Sequence, residues 1–198
     1  MKKKTTEELV SEKPKIEVFK KQKRNPISII LNNVRSLQNV GLVFRVCDAI
    51  MAENLYLSGF TGYPPLPKND PRRQGVIIHA KNQIEKTAIK TVENVPWEYE
   101  QNTVKIVKKL KKQGIQIVAV EQTWESTDYR NSPYKFPTAL IFGHEREGIE
   151  DPVLKLADFA VEIPMAGFGN SLNVAMATTL IGYHLINILY ITKLRSDI

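Results

Sequence analysis

Three short stretches gather side chains that can do chemistry. In the first, Asp158–Ile163 reads as a strand that ends at Pro164, followed by a flexible loop with Gly167 and Gly169. Asn170, Ser171 and Asn173 then crowd the start of a long apolar helical run. Glycines let backbone approach a ligand closely, and a helix N-terminus offers unpaired N–H groups to anionic groups. Ser171 alone suffices as a cap, so the neighbouring amides point to a ligand. The second stretch is Asn39-Val40-Gly41-Leu42-Val43-Phe44-Arg45. Asn39 can cap the helix that starts there. Arg45 falls within a stripe of apolar neighbours, where an unpaired buried charge is expensive. It either pairs with Asp48, three residues on, or aims its guanidinium at a phosphate or a developing oxyanion. The third is Leu140–Gly148, an apolar strand ending in Gly143, then His144, Glu145, Arg146 and Glu147, then Gly148. Strand C-terminal ends are where open α/β sheets bind ligands. His144–Glu145 is no zinc-protease motif, because Gly148 occupies the second histidine's place. Taken alone, His144 reads as a surface or packing histidine. No Gly-x-Gly-x-x-Gly follows the first strand and there is no P-loop.

The elements that must position these residues alternate. Ile27–Leu31 and Asn54–Leu57 read as buried strands. Between them Val40, Val43, Phe44, Cys47 and Ile50 recur at helical spacing. That is a β-α-β unit with parallel strands. A Pro- and Gly-rich loop spans Gly59–Gly75, and its Lys68, Arg72 and Arg73 either face phosphate or are ordinary exposed charges. Helices are expected over His79–Thr91 and Gln101–Gln113. The second sets Lys105, Lys108, Lys109 and Lys112 along one face and Val104, Val107 and Leu110 along the other. The lysine face is read as solvation, with an RNA track as the alternative. Gly114 stops this helix, Ile115–Val120 and Thr138–Phe142 follow as strands, and Pro152–Leu156 is a short helix. The alternation predicts an α/β fold with a mainly parallel sheet and helices on both faces.

A chain of 198 residues fits one domain with, at most, a small appendage. The net charge of +7 is unevenly spread. Residues 1–24 hold nine Lys/Arg and four Glu, whereas the remaining 174 hold 19 and 17. Residues 1–24 therefore read as a basic, mobile arm, and residues 25–198 as the folded domain. The arm either adds phosphate contacts to a nucleic acid or is merely solvated. The single cysteine, Cys47, excludes an internal disulfide, gives no zinc cluster and fits a buried helical position in a reducing compartment. The Lys-rich start lacks an apolar core, so no secretory signal is expected and the protein is expected to be cytoplasmic.

The last helix needs separate weighing. Leu172–Ile191 comprises 20 residues without Lys, Arg, Asp or Glu, about 30 Å of helix and enough to span a membrane. Asn173, Asn187, His184 and Thr178–Thr179 argue against that. A partner subunit is the better cover for so much apolar surface, so the expectation is a homodimer with no membrane.

Together the three stretches resemble the SpoU family of RNA 2′-O-ribose methyltransferases, within the SPOUT superfamily. Asn33-Val34-Arg35-Ser36-Leu37-Gln38-Asn39-Val40-Gly41 through Arg45 resembles its opening motif. Phe142-Gly143-His144-Glu145-Arg146-Glu147-Gly148 resembles the second, and Ile163-Pro164-Met165 through Ser171-Leu172-Asn173-Val174 the third. The resemblance runs over about residues 25–190 and implies a C-terminal trefoil knot, S-adenosylmethionine as cofactor, an RNA substrate (tRNA or rRNA), a homodimer and no metal. It implies Asn39, Arg45, Glu145, Ser171 and Asn173 as the polar active-site set. Val120, Gly143, Gly148, Ile163, Met165, Ser171 and Leu172 are implied as cofactor contacts, mainly through backbone. The competing readings are a non-catalytic RNA-binding module on the same fold and a guanine-N1 methyltransferase of a related branch. The motifs do not distinguish one target nucleotide from another.

Overall fold

The computed structural model describes residues 1–196; the last two residues of the expected 25–198 domain lie outside them. Seven strands make one sheet: β1 (Asn25–Asn32), β2 (Ala52–Ser58), β3 (Trp97–Glu100), β4 (Gln116–Val120), β5 (Thr127–Asp128), β6 (Thr138–Phe142) and β7 (Phe159–Glu162). Their order is β3-β2-β1-β6-β4-β7-β5, with every neighbouring pair parallel. The helices are α1 (Thr6–Ser11), α2 (Ile16–Phe19), α3 (Leu37–Ala49), α4 (Gln74–Ala88), α5 (Thr103–Lys112), α6 (Asp151–Leu154) and α7 (Val174–Ser196).

The apolar runs of the strands are continuous because both faces of the sheet are covered. Along β1, Ile27, Ile29 and Leu31 enter one core with Val40, Val43 and Phe44 of α3, Ile84 of α4 and Ile181 and Leu185 of α7. Ile30 points the other way, into a second core with Ile106 and Leu110 of α5 and Val153 of α6. The period of two along a strand thus divides the helices into two layers, as the sequence predicts.

Several boundaries differ from expectation. α4 begins at Gln74 rather than His79 and ends at Ala88, where Ile89 (φ 49°) and Lys90 (φ 65°) turn left-handed. Asn39 does not cap α3. Ser36 does, its Oγ accepting from Asn39 N at 3.2 Å. Ser171 does not cap α7 either, since that role falls to Asn173, whose Oδ1 accepts from Ala175 N at 2.9 Å. The observed caps thus lie three residues before the expected Asn39 and two residues after the expected Ser171.

α3 and α4 meet at Gly41. A Cβ there would lie 2.1 Å from Thr87 Oγ1 and 2.4 Å from the Ile84 carbonyl oxygen. The loop between β2 and α4 is pinned rather than loose. Arg72 pairs with Asp70 at 2.6 Å, donates to the carbonyls of Tyr63 and Pro64, and lies 3.5 Å over the Tyr63 ring. Arg72 is therefore a loop fastener, whereas Lys68 and Arg73 stay exposed. On α5, Lys105 and Lys109 pair with Glu100 and Glu98, so half of the lysine face is answered by carboxylates. Residues 1–23 contain α1 and α2, neither with a buried residue. Arg24, the last residue of the expected arm, is fastened to the domain through the carbonyls of Ala52 and Asn94.

Candidate active site

The C-terminal ends of β4, β6 and β7 open into a pocket of about 520 Å³. Val120, Phe142 and Val161 form its floor, and two loops wall it: 143–148 after β6 and 163–173 between β7 and α7. Of the expected cofactor contacts, Val120, Gly143, Gly148, Ile163, Ser171 and Leu172 all line this pocket. Met165 does not. Pro164 ends the strand register that would have carried Met165 inward as the next alternate residue after Val161 and Ile163.

Glycine is required at both ends of the first loop. A Cβ on Gly143 would sit 2.3 Å from Gly148 C, and Gly148 has φ 70°. Two groups that sequence reasoning passed over hold the walls together. Glu121 accepts from Ile149 N at 2.8 Å and Gln122 N at 3.0 Å, and Gln122 Nε2 donates to the Asn170 carbonyl at 2.6 Å. Their signal was available, since two polar residues directly follow an apolar strand at the ligand-binding end of the sheet.

At the lip three of the five expected polar residues are joined in one directed chain. Asn173 Nδ2 donates to Asn39 Oδ1 at 3.0 Å, and Asn39 Nδ2 donates to Glu145 Oε1 at 3.1 Å. Each amide orientation is fixed by its neighbours: Asn173 Oδ1 is engaged at the helix cap, and a carboxylate only accepts. Burial pushes the Glu145 carboxyl up. Hydrogen bonds from its own backbone, the Asn39 side chain and the Arg35 and Ser36 backbone outweigh that and hold it below the ordinary glutamate range. Glu145 is therefore an anion at neutral pH.

Ser171 lines the pocket without joining this chain. Arg45 stands apart. It lies six residues from Asn39 on α3, about 120° around the helix and about 9 Å along it. Its side chain is exposed, does not line the pocket, and has no ion pair among the described residues. Of the two readings for Arg45, the pairing with Asp48 is not formed: Arg45 extends into solvent. Asp48 turns toward the field of Lys13 and Arg24, where burial raises its carboxyl, and its Oδ1 is buried without a hydrogen-bond partner among the described residues.

The profile of the SpoU rRNA Methylase family matches residues 26–183. The chain belongs to this family. The SpoU chain is 32% identical over 167 residues to a tRNA (guanosine(18)-2′-O)-methyltransferase of Aquifex aeolicus, covering 84% of this chain and 71% of the relative. It superposes on the crystal structure of the A. aeolicus TrmH/SpoU tRNA modifying enzyme with a TM-score of 0.65 at 27% identity, covering 85% of this chain and 79% of the other. An S-adenosylmethionine-bound rRNA methyltransferase from Sinorhizobium meliloti matches with a TM-score of 0.67 at 25% identity, over 84% of this chain and 58% of that one.

The pocket of this SpoU protein suits a sulfonium nucleoside. Apolar Val120, Phe142, Ile163 and Leu172 offer surface to a base, and Glu121, Glu145 and Glu162 face one guanidinium, Arg146. An acidic lining favours a cationic ligand over a phosphorylated one. Among the described residues no cluster of three or more His, Cys, Asp or Glu is placed to hold a metal ion.

Proposed function

We propose that this chain transfers a methyl group from S-adenosylmethionine to a ribose 2′-hydroxyl in structured RNA, tRNA or rRNA. The observation that carries the reading is the hydrogen-bonded chain Asn173–Asn39–Glu145 at the lip of a cofactor-sized pocket. The cofactor, when bound, supplies an electrophilic methyl on a sulfonium that is already a good leaving group. The protein's task is then alignment, which supplies about 7–11 kcal/mol in well-oriented reactions, and stabilisation of the ribose oxygen as the hydroxyl proton passes to a neighbouring RNA phosphate or to solvent. Val120, Gly143, Gly148, Ile163, Ser171 and Leu172 hold the cofactor, while Asn39, Asn173 and Ser171 orient the ribose. Ionised Glu145 fixes the Asn39 amide and adds negative charge to the pocket lining.

Arg45 acts as an electrostatic clamp on the developing alkoxide and a neighbouring phosphate, because a guanidinium keeps its proton in proteins and is a poor base. Its place on α3 supports service across a homodimer interface, one protomer's Arg45 completing its partner's site. The surface for that interface is the exposed stripe Met176, Leu180, Tyr183, Tyr190 and Ile191. It recurs at helical spacing on α7, whose other side packs on α3 and β1. By length and composition Val174–Thr192 is apolar enough to cross a membrane; we assign its exposed half to the partner subunit instead, in a cytoplasmic enzyme. The C-terminal segment is read as the family's trefoil knot, α7 returning from β7 near one sheet edge to α3 past the 143–148 loop.

The test is transfer of labelled methyl from S-adenosylmethionine to bulk RNA, followed by mapping of 2′-O-methyl positions. R45A and E145A are each expected to be inactive with cofactor still bound. Mixed and re-associated, they are expected to regain activity, since half of the heterodimers' sites carry both native residues. Label on a base rather than a ribose would overturn the assignment. No recovery on mixing would place Arg45 in its own protomer's site.

A further inference from the structure

His144 is neither a loose surface side chain nor a packing residue. Its Nδ1 accepts from Arg146 N and from Glu147 N, both at 3.1 Å. The same turn is closed at its ends by His144 N to Gly148 O and Gly148 N to His144 O, both at 3.0 Å. The imidazole therefore fills the interior of the 144–148 turn as an Asn or Asp side chain fills an Asx-turn, giving two backbone donors an acceptor. This fixes the tautomer, since a nitrogen accepting two hydrogen bonds carries no proton and Nε2 must carry it.

We infer that His144 is a positioning residue for methyl transfer, its neutral imidazole holding the 143–148 loop in the shape that lines the cofactor pocket and presents Glu145 to Asn39. Two observations support this. Gly143, His144, Glu145, Arg146 and Gly148 all line the pocket, so the turn's shape is the pocket's wall. Glu145 lies inside the turn and its carboxylate bonds to Asn39 and the Arg35 backbone, so loosening the turn slackens the polar chain. The charged groups on the same pocket are Glu121 after β4, Glu162 of β7, and Glu145 and Arg146 of the loop itself, with Glu147 adjoining.

The inference rests on the proposed cofactor site, and the experiment separates the two. S-adenosylmethionine binding is measured by calorimetry, and amide hydrogen exchange by NMR on the ligand-free protein, for wild type, H144A and H144N. H144A is expected to weaken binding on the order of tenfold, the loss of two ordinary hydrogen bonds, and to speed exchange at the Arg146 and Glu147 amides alone. H144N, which restores a neutral acceptor, is expected to stay within about twofold of wild type. Wild-type behaviour of H144A, or an H144N no better than H144A, would overturn the assignment. If the exchange pattern holds but wild type binds no S-adenosylmethionine, the loop assignment stands and the cofactor reading fails.

Discussion

Replacing Asn39 by Asp probes the polar chain most sharply, because it changes one group and reverses one interaction. In the native site Asn39 Nδ2 donates to Glu145 Oε1 at 3.1 Å. In N39D an oxygen faces that carboxylate. A hydrogen bond to a charged group, about 1.5–3 kcal/mol, is lost. Two like charges about 3 Å apart are added, a repulsion of about 1 kcal/mol in water and about 5 kcal/mol at an effective dielectric of 20. The lip is solvent-accessible, so the lower end applies and the total is about 3–4 kcal/mol, or about 100- to 1,000-fold in kcat/KM. N39A loses the bond without adding repulsion and should fall by about 10- to 100-fold. Methyl transfer to RNA, measured across pH with stability checked separately, orders the three proteins: wild type, then N39A, then N39D. The N39D deficit relative to wild type should shrink on acidification, because one proton shared between the two carboxyls restores a hydrogen bond. An N39D protein more active than N39A, or a deficit independent of pH, would refute the directed chain.

Other consequences are simpler to state. Gly41→Ala should destabilise by about 1–3 kcal/mol through overpacking against Thr87 and Ile84, although Gly→Ala in a helix interior ordinarily stabilises by about 1 kcal/mol; thermal denaturation reads the sign. The Arg72 guanidinium holds the Asp70 carboxyl well below its usual range. A depressed carboxylate stabilises above the unfolded value near 3.9 and loses that as pH falls. Wild type should thus lose its advantage over D70N, about 1–3 kcal/mol at neutral pH, below about pH 4 in denaturant titrations. Deleting residues 1–22, which spares the fastened Arg24, should weaken RNA binding and flatten its salt dependence while leaving S-adenosylmethionine affinity unchanged. An unchanged slope would make the arm a bystander.

The sheet and both helix layers were legible in the sequence because buried parallel strands such as Ile27–Leu31 and Thr138–Phe142 are nearly continuous apolar runs, broken only by the buried hydroxyls of Ser28 and Thr138. The polar set was legible as residue types at fixed spacing, yet its wiring was not. Asn39 and Ser171 both look like caps, and choosing between a cap and a site residue needs the helix start to within one residue, which spacing does not fix. Arg45 looked buried from its apolar neighbours, but a helix presents several faces and Arg45 lies on an open one. Met165 fell out of the pocket through the break at Pro164. Glu121 and His144 act through backbone N–H groups of the 144–149 segment. Such partners have no signature of their own in a string of side chains.

The hydrogen bond between Asn173 and Asn39 joins residues 134 positions apart. During synthesis the first half of the site, on α3, leaves the ribosome long before the segment that completes it. A nascent or truncated chain ending before Asn173 lacks both the outer wall of the pocket and the first link of the chain to Glu145. The polar chain and the outer pocket wall therefore arrive last, with the closing element of the fold.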